Sequence, residues 1–180
     1  APPEKVAAAR GLVQYLAAAR TSSYRLDAVR EARPVGSPDA PWQAYGVPVE
    51  MLCLSGRLGF AQAGRERLFV GGFDVEVAQK SKIADPVVFA CFDGLQAVVS
   101  ADAAGERVHV RLALLDRSVL GFRSVPSVSP DLGSVQLPDI EEVVVRRNLL
   151  MKSGETASLG DGPTRMIPGR GACQTRLSIR

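Results

Sequence analysis

Along residues 2–20, Val6, Ala9, Val13 and Leu16 recur at three- and four-residue steps, with Leu12 beside them. This is the spacing of one face of an amphipathic helix. Pro2 and Pro3 suit its first turn and the Thr21-Ser22-Ser23 cluster its end. The many alanines make such a helix easy to form and narrow, so the pattern predicts a helix that covers a sheet. Lys5, Arg10 and Arg20 are too few for the dense basic face of a membrane-surface helix.

The next stretch is less decided. Tyr24 to Arg33 fits a strand or a short helix. Pro34, Gly36, Pro38, Pro41, Gly46 and Pro48 then mark a loop, because proline lacks a donor and fixes its own backbone. Trp42 and Tyr45 inside it either pin the loop to the body or form an aromatic binding patch.

From about Val49 the period changes to two. Arg57 to Ala63 and Arg65 to Val70 are short runs that meet at Ala63-Gly64, which reads as a tight hairpin. Phe73, Val75 and Val77 alternate with Asp74, Glu76 and Ala78, a half-buried strand. Leu95 to Ala101 and Glu106 to Leu115 flank the hairpin loop Asp102 to Gly105. In the second arm Val108, Val110, Leu112 and Leu114 point one way, as a core or assembly face. Arg107, His109 and Arg111 point the other way, toward water or a polar partner, with Asp74 and Glu76 as candidate opposite charges. Ile140 to Leu150 is another long strand, Ser153-Gly154-Glu155 a turn, and Cys173 to Arg180 a last alternating run. Ser124 to Pro138 and Gly160 to Gly171 read as loops. The pattern therefore predicts a mainly β chain of antiparallel hairpins with one N-terminal α-helix. Its organisation is a helix over 1–22, a proline-rich connection over 23–48 and a β-domain over 49–180.

Composition mainly excludes. The chain has 180 residues, enough for one domain with a core and short for two. A hydrophobic share of 46% and a charged share of 23% argue against global disorder. The net charge of +3 comes from scattered residues and does not imply nucleic acid. A single histidine, His109, excludes a multi-histidine metal site, and any catalytic triad would have to use it. Arg107 and Arg111 flank it, and no carboxylate is placed locally to orient it. Cys53, Cys91 and Cys173 lack CxxC spacing, which argues against a zinc ribbon and favours buried thiols. The glycines form no phosphate loop, and Gly160-Asp161-Gly162 lacks the remaining ligands of a calcium turn. No apolar run approaches the roughly 20 residues of a membrane helix. The expectation is a non-enzyme with no cofactor. The start Ala1-Pro2-Pro3-Glu4 suits a mature chain after signal-peptide removal, or equally a trimmed chain.

One ordered series of motifs points to a family. Gly64-Arg65-Glu66-Arg67-Leu68 precedes Phe73-Asp74-Val75-Glu76-Val77-Ala78-Gln79, then Ile83-Ala84-Asp85-Pro86-Val87-Val88 and Asp93-Gly94-Leu95. Val135-Gln136-Leu137-Pro138 with Val143-Val144-Val145 follows, and then Lys152-Ser153-Gly154-Glu155-Thr156-Ala157-Ser158-Leu159-Gly160. Over residues 55 to 162 this resembles the core domain of bacterial secretins, except that Asp161 stands at the second glycine of the closing signature. The resemblance implies a homo-oligomeric, non-catalytic subunit whose hairpins build a shared barrel wall in the bacterial cell envelope, in the outer membrane or periplasm. Its partners would be copies of itself and other envelope or secretion-system proteins, with no nucleic acid. The alternative is a soluble β-domain that binds other proteins and forms no pore.

Overall fold

The computed structural model describes residues 22–78, 81–127 and 132–180. The expected N-terminal helix lies, but for Ser22, outside the described residues. Among the described residues nine strands follow in order: β1 (Ser23–Pro34), β2 (Gln43–Leu54), β3 (Leu58–Ala78), β4 (Ser81–Ala104), β5 (Arg107–Pro126), β6 (Ser134–Met151), β7 (Ala157–Asp161), β8 (Arg165–Ile167) and β9 (Gly171–Ile179). The chain is mainly β, with antiparallel sheets. One sheet has the order β2-β1-β9-β7, with β8 also on β9, and the other has the order β3-β4-β5-β6.

The chain divides into two compact units. Of the described residues, the first holds those up to Ala63, Leu95–Leu115 and Val144–Arg180, and the second holds those within Gly64–Gly94 and Asp116–Val143.

The first unit is a sandwich. On one side β1 pairs with β2, Leu26 facing Met51 and Ala28 facing Val49, with a bulge between Ala28 and Arg30. β1 also pairs with β9, from Ala28 opposite Ile179 to Pro34 opposite Cys173. β9 therefore lies inside its sheet, flanked on the far side by β7 and β8. Alternation decides which residues are covered. Val49, Met51 and Cys53 of β2 are buried, whereas Glu50, Leu52 and Leu54 between them are exposed. From the other sheet come Leu95, Ala97, Val99 and Ala101 of β4 and Val110, Leu112 and Leu114 of β5, all buried. The two layers meet closely at Gly59, where a Cβ would stand 2.9 Å from Cys53 Sγ, so the position admits no larger side chain without movement.

The second unit is one layer of four strand segments. Among its described residues, Val119 is the only apolar side chain in the buried class. Phe69 stacks on Phe89 with centroids 5.9 Å apart and reaches Phe122 at 5.7 Å. β3 and β5 are not neighbours in the sheet, so the rings of Phe69 and Phe122 meet over the intervening β4.

Several expectations change. There is no hairpin at Ala63-Gly64: β3 runs through both residues, and Gly64 is required by crowding rather than by a turn. A Cβ there would lie 2.5 Å from the Asp93 carbonyl oxygen and 2.6 Å from Phe92 Cζ. The two ends of the expected loop over Ser124 to Pro138 are strand, because β5 continues to Pro126 and β6 begins at Ser134. Pro126 and Pro138 are compatible with this because they stand at a strand end and on an outer strand of the sheet. The open stretch Tyr24 to Arg33 is strand, and β2 begins at Gln43, inside the segment read as connection. The hairpin at Asp102 to Gly105 is present and tighter than expected, turning at Gly105 (φ 64°) and Glu106.

Candidate assembly surface

The predicted core face is buried as alternation requires. Val110, Leu112 and Leu114 are 0–5% exposed, and Val108, nearest the turn, is half-buried. Arg107 and Arg111 are exposed on the other face of β5, and His109 between them is half-buried. The chain itself supplies a partner for Arg111: its Nη2 donates to Asp102 Oδ2 at 2.9 Å. An exposed pair of this kind contributes about 0–1 kcal/mol. Asp74 and Glu76 are exposed on the part of β3 in the second unit, in a different unit from the three basic residues.

The same outward face of the first unit carries more apolar surface than alternation with polar residues would leave. Leu58 is 80% exposed, Phe60 64%, Val144 59% and Leu150 49%. Leu58, Val98, Ala113 and Arg146 line a groove of about 560 Å³ on it. Each of these residues alternates with a buried or inward one, so they share one side of the sheet.

In the second unit the polar contacts converge on Asp93. Its carboxylate accepts from Arg65 Nη2 at 3.2 Å and Arg67 Nε at 3.1 Å and is only 15% exposed. Oδ1 also accepts from the Val119 amide at 3.5 Å. Arg117 pairs with Glu142. Gln136 Oε1 accepts from the Val70 amide at 3.1 Å, which links β6 to β3, the two outer strands of the sheet. The strands are nonetheless not closed: the sheets of this one chain do not form the β-barrel expected of an assembled wall. Leu68, Leu120 and Val88 remain 55–68% exposed in this unit.

Two arginines flank the ring of Trp42. The Arg33 and Arg176 guanidinium carbons stand 4.6 and 4.4 Å from its ring centroid. Arg33 is held in turn by Pro38 O at 2.6 Å and Gln174 Oε1 at 3.0 Å, and Arg176 by Glu31 Oε2 at 2.6 Å.

The cysteines are all free, with Cys53 and Cys173 buried and Cys91 half-buried. Burial pushes the Cys53 thiol above its ordinary value. Among the described residues no group of three histidine, cysteine, aspartate or glutamate side chains is placed to hold a metal ion. No helix among them is long and apolar enough to cross a membrane.

Two features escaped sequence reading. Asp93 was visible only as part of an Asp-Gly pair, with nothing local to show that Arg65, Arg67 and Val119 would reach it. The arginines on Trp42 are 143 positions apart in the chain, and only strand pairing brings them together. No family model, no curated protein and no solved structure matches the chain.

Proposed function

We propose that this chain is a non-catalytic, secretin-like structural subunit of the bacterial envelope that assembles with copies of itself through the outer strands of the β3-β4-β5-β6 sheet. The observation that carries the reading is the second unit: four long strand segments in one layer, with Val119 alone as a buried apolar side chain among the described residues. A single layer of that kind gains little from hydrophobic burial, and neighbours would supply what it lacks. The outer strands suit this role. β3 has 21 residues and β6 has 18, and both end the sheet. Four antiparallel strands place opposite chain directions at the two edges. β6 of one copy laid beside β3 of the next therefore continues the alternation, and such head-to-tail contacts close into rings. Long free edges are otherwise an aggregation hazard.

A soluble, non-pore-forming interaction module is the second reading. The bond from Val70 N to Gln136 Oε1 favours it, because it occupies an edge donor within the chain. Sedimentation and negative-stain microscopy in plain buffer and in mild detergent separate the two. The proposal expects ring-shaped particles many times the 19.1 kDa of one chain. A monomer at micromolar concentration in both solvents defeats it and leaves the module.

A further inference from the structure

We propose that one end of the first unit's sandwich, between β1 in one layer and β5 and β6 in the other, binds an amphipathic anion: a carboxylate or phosphate carried on an aliphatic chain. A cavity of about 450 Å³ opens there, where β1 and β5 begin and β6 ends. Voids left by imperfect packing are seldom larger than a water molecule, whereas small-molecule sites take about 300–1,000 Å³. The lining belongs entirely to the first unit.

The cavity has an apolar floor and a basic mouth. Leu26, Val110 and Met151 form the floor, one each from β1, β5 and β6, and each is 6% exposed or less. Tyr24 and Val108 stand two residues nearer the strand ends on the same faces as Leu26 and Val110, and both are half-buried. At the mouth stand Arg25, Lys152 and Arg180, against Glu155 as the one carboxylate side chain of the lining. The turn after β6 fixes Lys152 at the rim: its amide donates to Glu155 Oε2 at 2.7 Å, and the Glu155 amide donates to Lys152 O at 3.1 Å. Arg180 is tied to β1 by a backbone bond in each direction with Asp27, at 2.8 and 3.1 Å. The side chains of Arg25 and Arg180 are 67% and 60% exposed, so their pairs with Asp27 and Glu50 are weak and leave donors for a bound anion. Arg107 lines an adjoining hollow with Lys152 and the same turn, and adds to the positive field.

An aliphatic chain gains free energy by leaving water for the apolar floor. Its anionic end meets guanidinium and ammonium donors at the rim, where charge-assisted hydrogen bonds are the strong ones. The inference does not rest on the assembly reading, because the cavity lies within one copy.

The test titrates the full chain by calorimetry with decanoate, decyl phosphate and neutral decanol, each dissolved as monomers. The expected result is saturable binding of an anion, one per chain, with decanol bound about tenfold more weakly or less. Preference for decanoate assigns a carboxylate ligand, and preference for decyl phosphate a phosphate. Lys152→Glu should weaken anion binding about tenfold. Arg146→Glu, the same charge change on the outward face of β6, should leave it as in the wild type. Val108→Phe, which fills the cavity, should abolish binding while the far-UV spectrum stays that of a β protein. Lys152 is exposed, so its variant reads the site even where Val108→Phe fails to fold. Absence of saturable binding would overturn the proposal, as would decanol binding as tightly as the anions. Equal weakening by Lys152→Glu and Arg146→Glu, or unchanged binding by a folded Val108→Phe, would place the amphiphile elsewhere and overturn it too.

Discussion

Gly64 offers a sharp test of how β3 is built. Read as a turn residue, it would tolerate asparagine and lose little on replacement by alanine. In the structure it is inside a continuous strand, and a Cβ would meet Asp93 O at 2.5 Å, Phe92 Cζ at 2.6 Å and Gly94 Cα at 2.7 Å. Two of those atoms belong to the backbone of β4, so the strands themselves would have to separate. Overpacking of this kind costs about 1–3 kcal/mol. For a chain of this size that is a drop of roughly 2–12 °C in Tm. Gly72, on the same strand, is the internal control, because nothing lies within 4 Å of the Cβ it would carry. There alanine restricts the unfolded chain and should leave Tm unchanged or raise it by the equivalent of about 0.4–1 kcal/mol. Thermal melts of Gly64→Ala, Gly64→Asn and Gly72→Ala, followed by circular dichroism, decide the matter. Equal Tm values for Gly64→Ala and Gly72→Ala would refute the continuous, crowded strand and restore the turn.

On β5 the two faces predict opposite behaviour. Val110→Asp places a carboxylate at a site with 0% exposure and should abolish folding, whereas His109→Ala should change stability by less than about 0.5 kcal/mol, both read from denaturant melts. Trp42→Ala removes the ring between Arg33 and Arg176, each contact being worth about 0.5–1 kcal/mol, and amide exchange in residues 35–42 should accelerate; unchanged exchange would show that the loop is held by other contacts. In the folded protein Cys91 should react with a thiol reagent first, and Cys53 and Cys173 only on unfolding. Because burial raises the folded Cys53 pKa above its ordinary 9.0, its contribution to stability is complete below about pH 9 and is lost as pH rises beyond it, and Cys53→Ala should flatten that alkaline decline.

The strands of the first unit were legible where side chains of large apolar and polar type alternate, as from Val108 to Leu114. The reading failed where glycine, proline or serine carried a different physical role. Gly64 reads as a turn because the sequence does not show which backbone will approach it. The stretch Ser124 to Pro138 reads as a loop because proline and serine disfavour central strands, yet an outer strand asks for fewer amide donors. Alternation puts Arg107, His109 and Arg111 on one face of β5, whereas the carboxylate that Arg111 meets, Asp102, lies across the hairpin turn, and local spacing gives no reason to prefer it over Asp74 or Glu76. At Trp42 the sequence leaves an anchor and a binding patch open, because the arginines that flank the ring are brought to it only by β9 lying inside the sheet.

The division of the chain into a covered and an uncovered part is also a property of its alternation. Going along β5, the inward series Val110, Leu112 and Leu114 ends at Asp116, which is 4% exposed. Going back along β4, the inward series Ala101, Val99, Ala97 and Leu95 ends at Gly94 and Asp93. These are the positions at which the first unit stops and the second begins. A buried carboxylate needs hydrogen-bonding partners and cannot contribute to an apolar layer. Asp93 meets that need with Arg65, Arg67 and the Val119 amide, all within the second unit. The same strands thus change from apolar burial, which stabilises a sandwich within one chain, to ion pairs and ring contacts. Ion pairs and a few rings fix geometry but add little net stability. A segment stabilised in this way has its strands aligned while β3 and β6 end the sheet, which is what the proposed assembly through those strands would use.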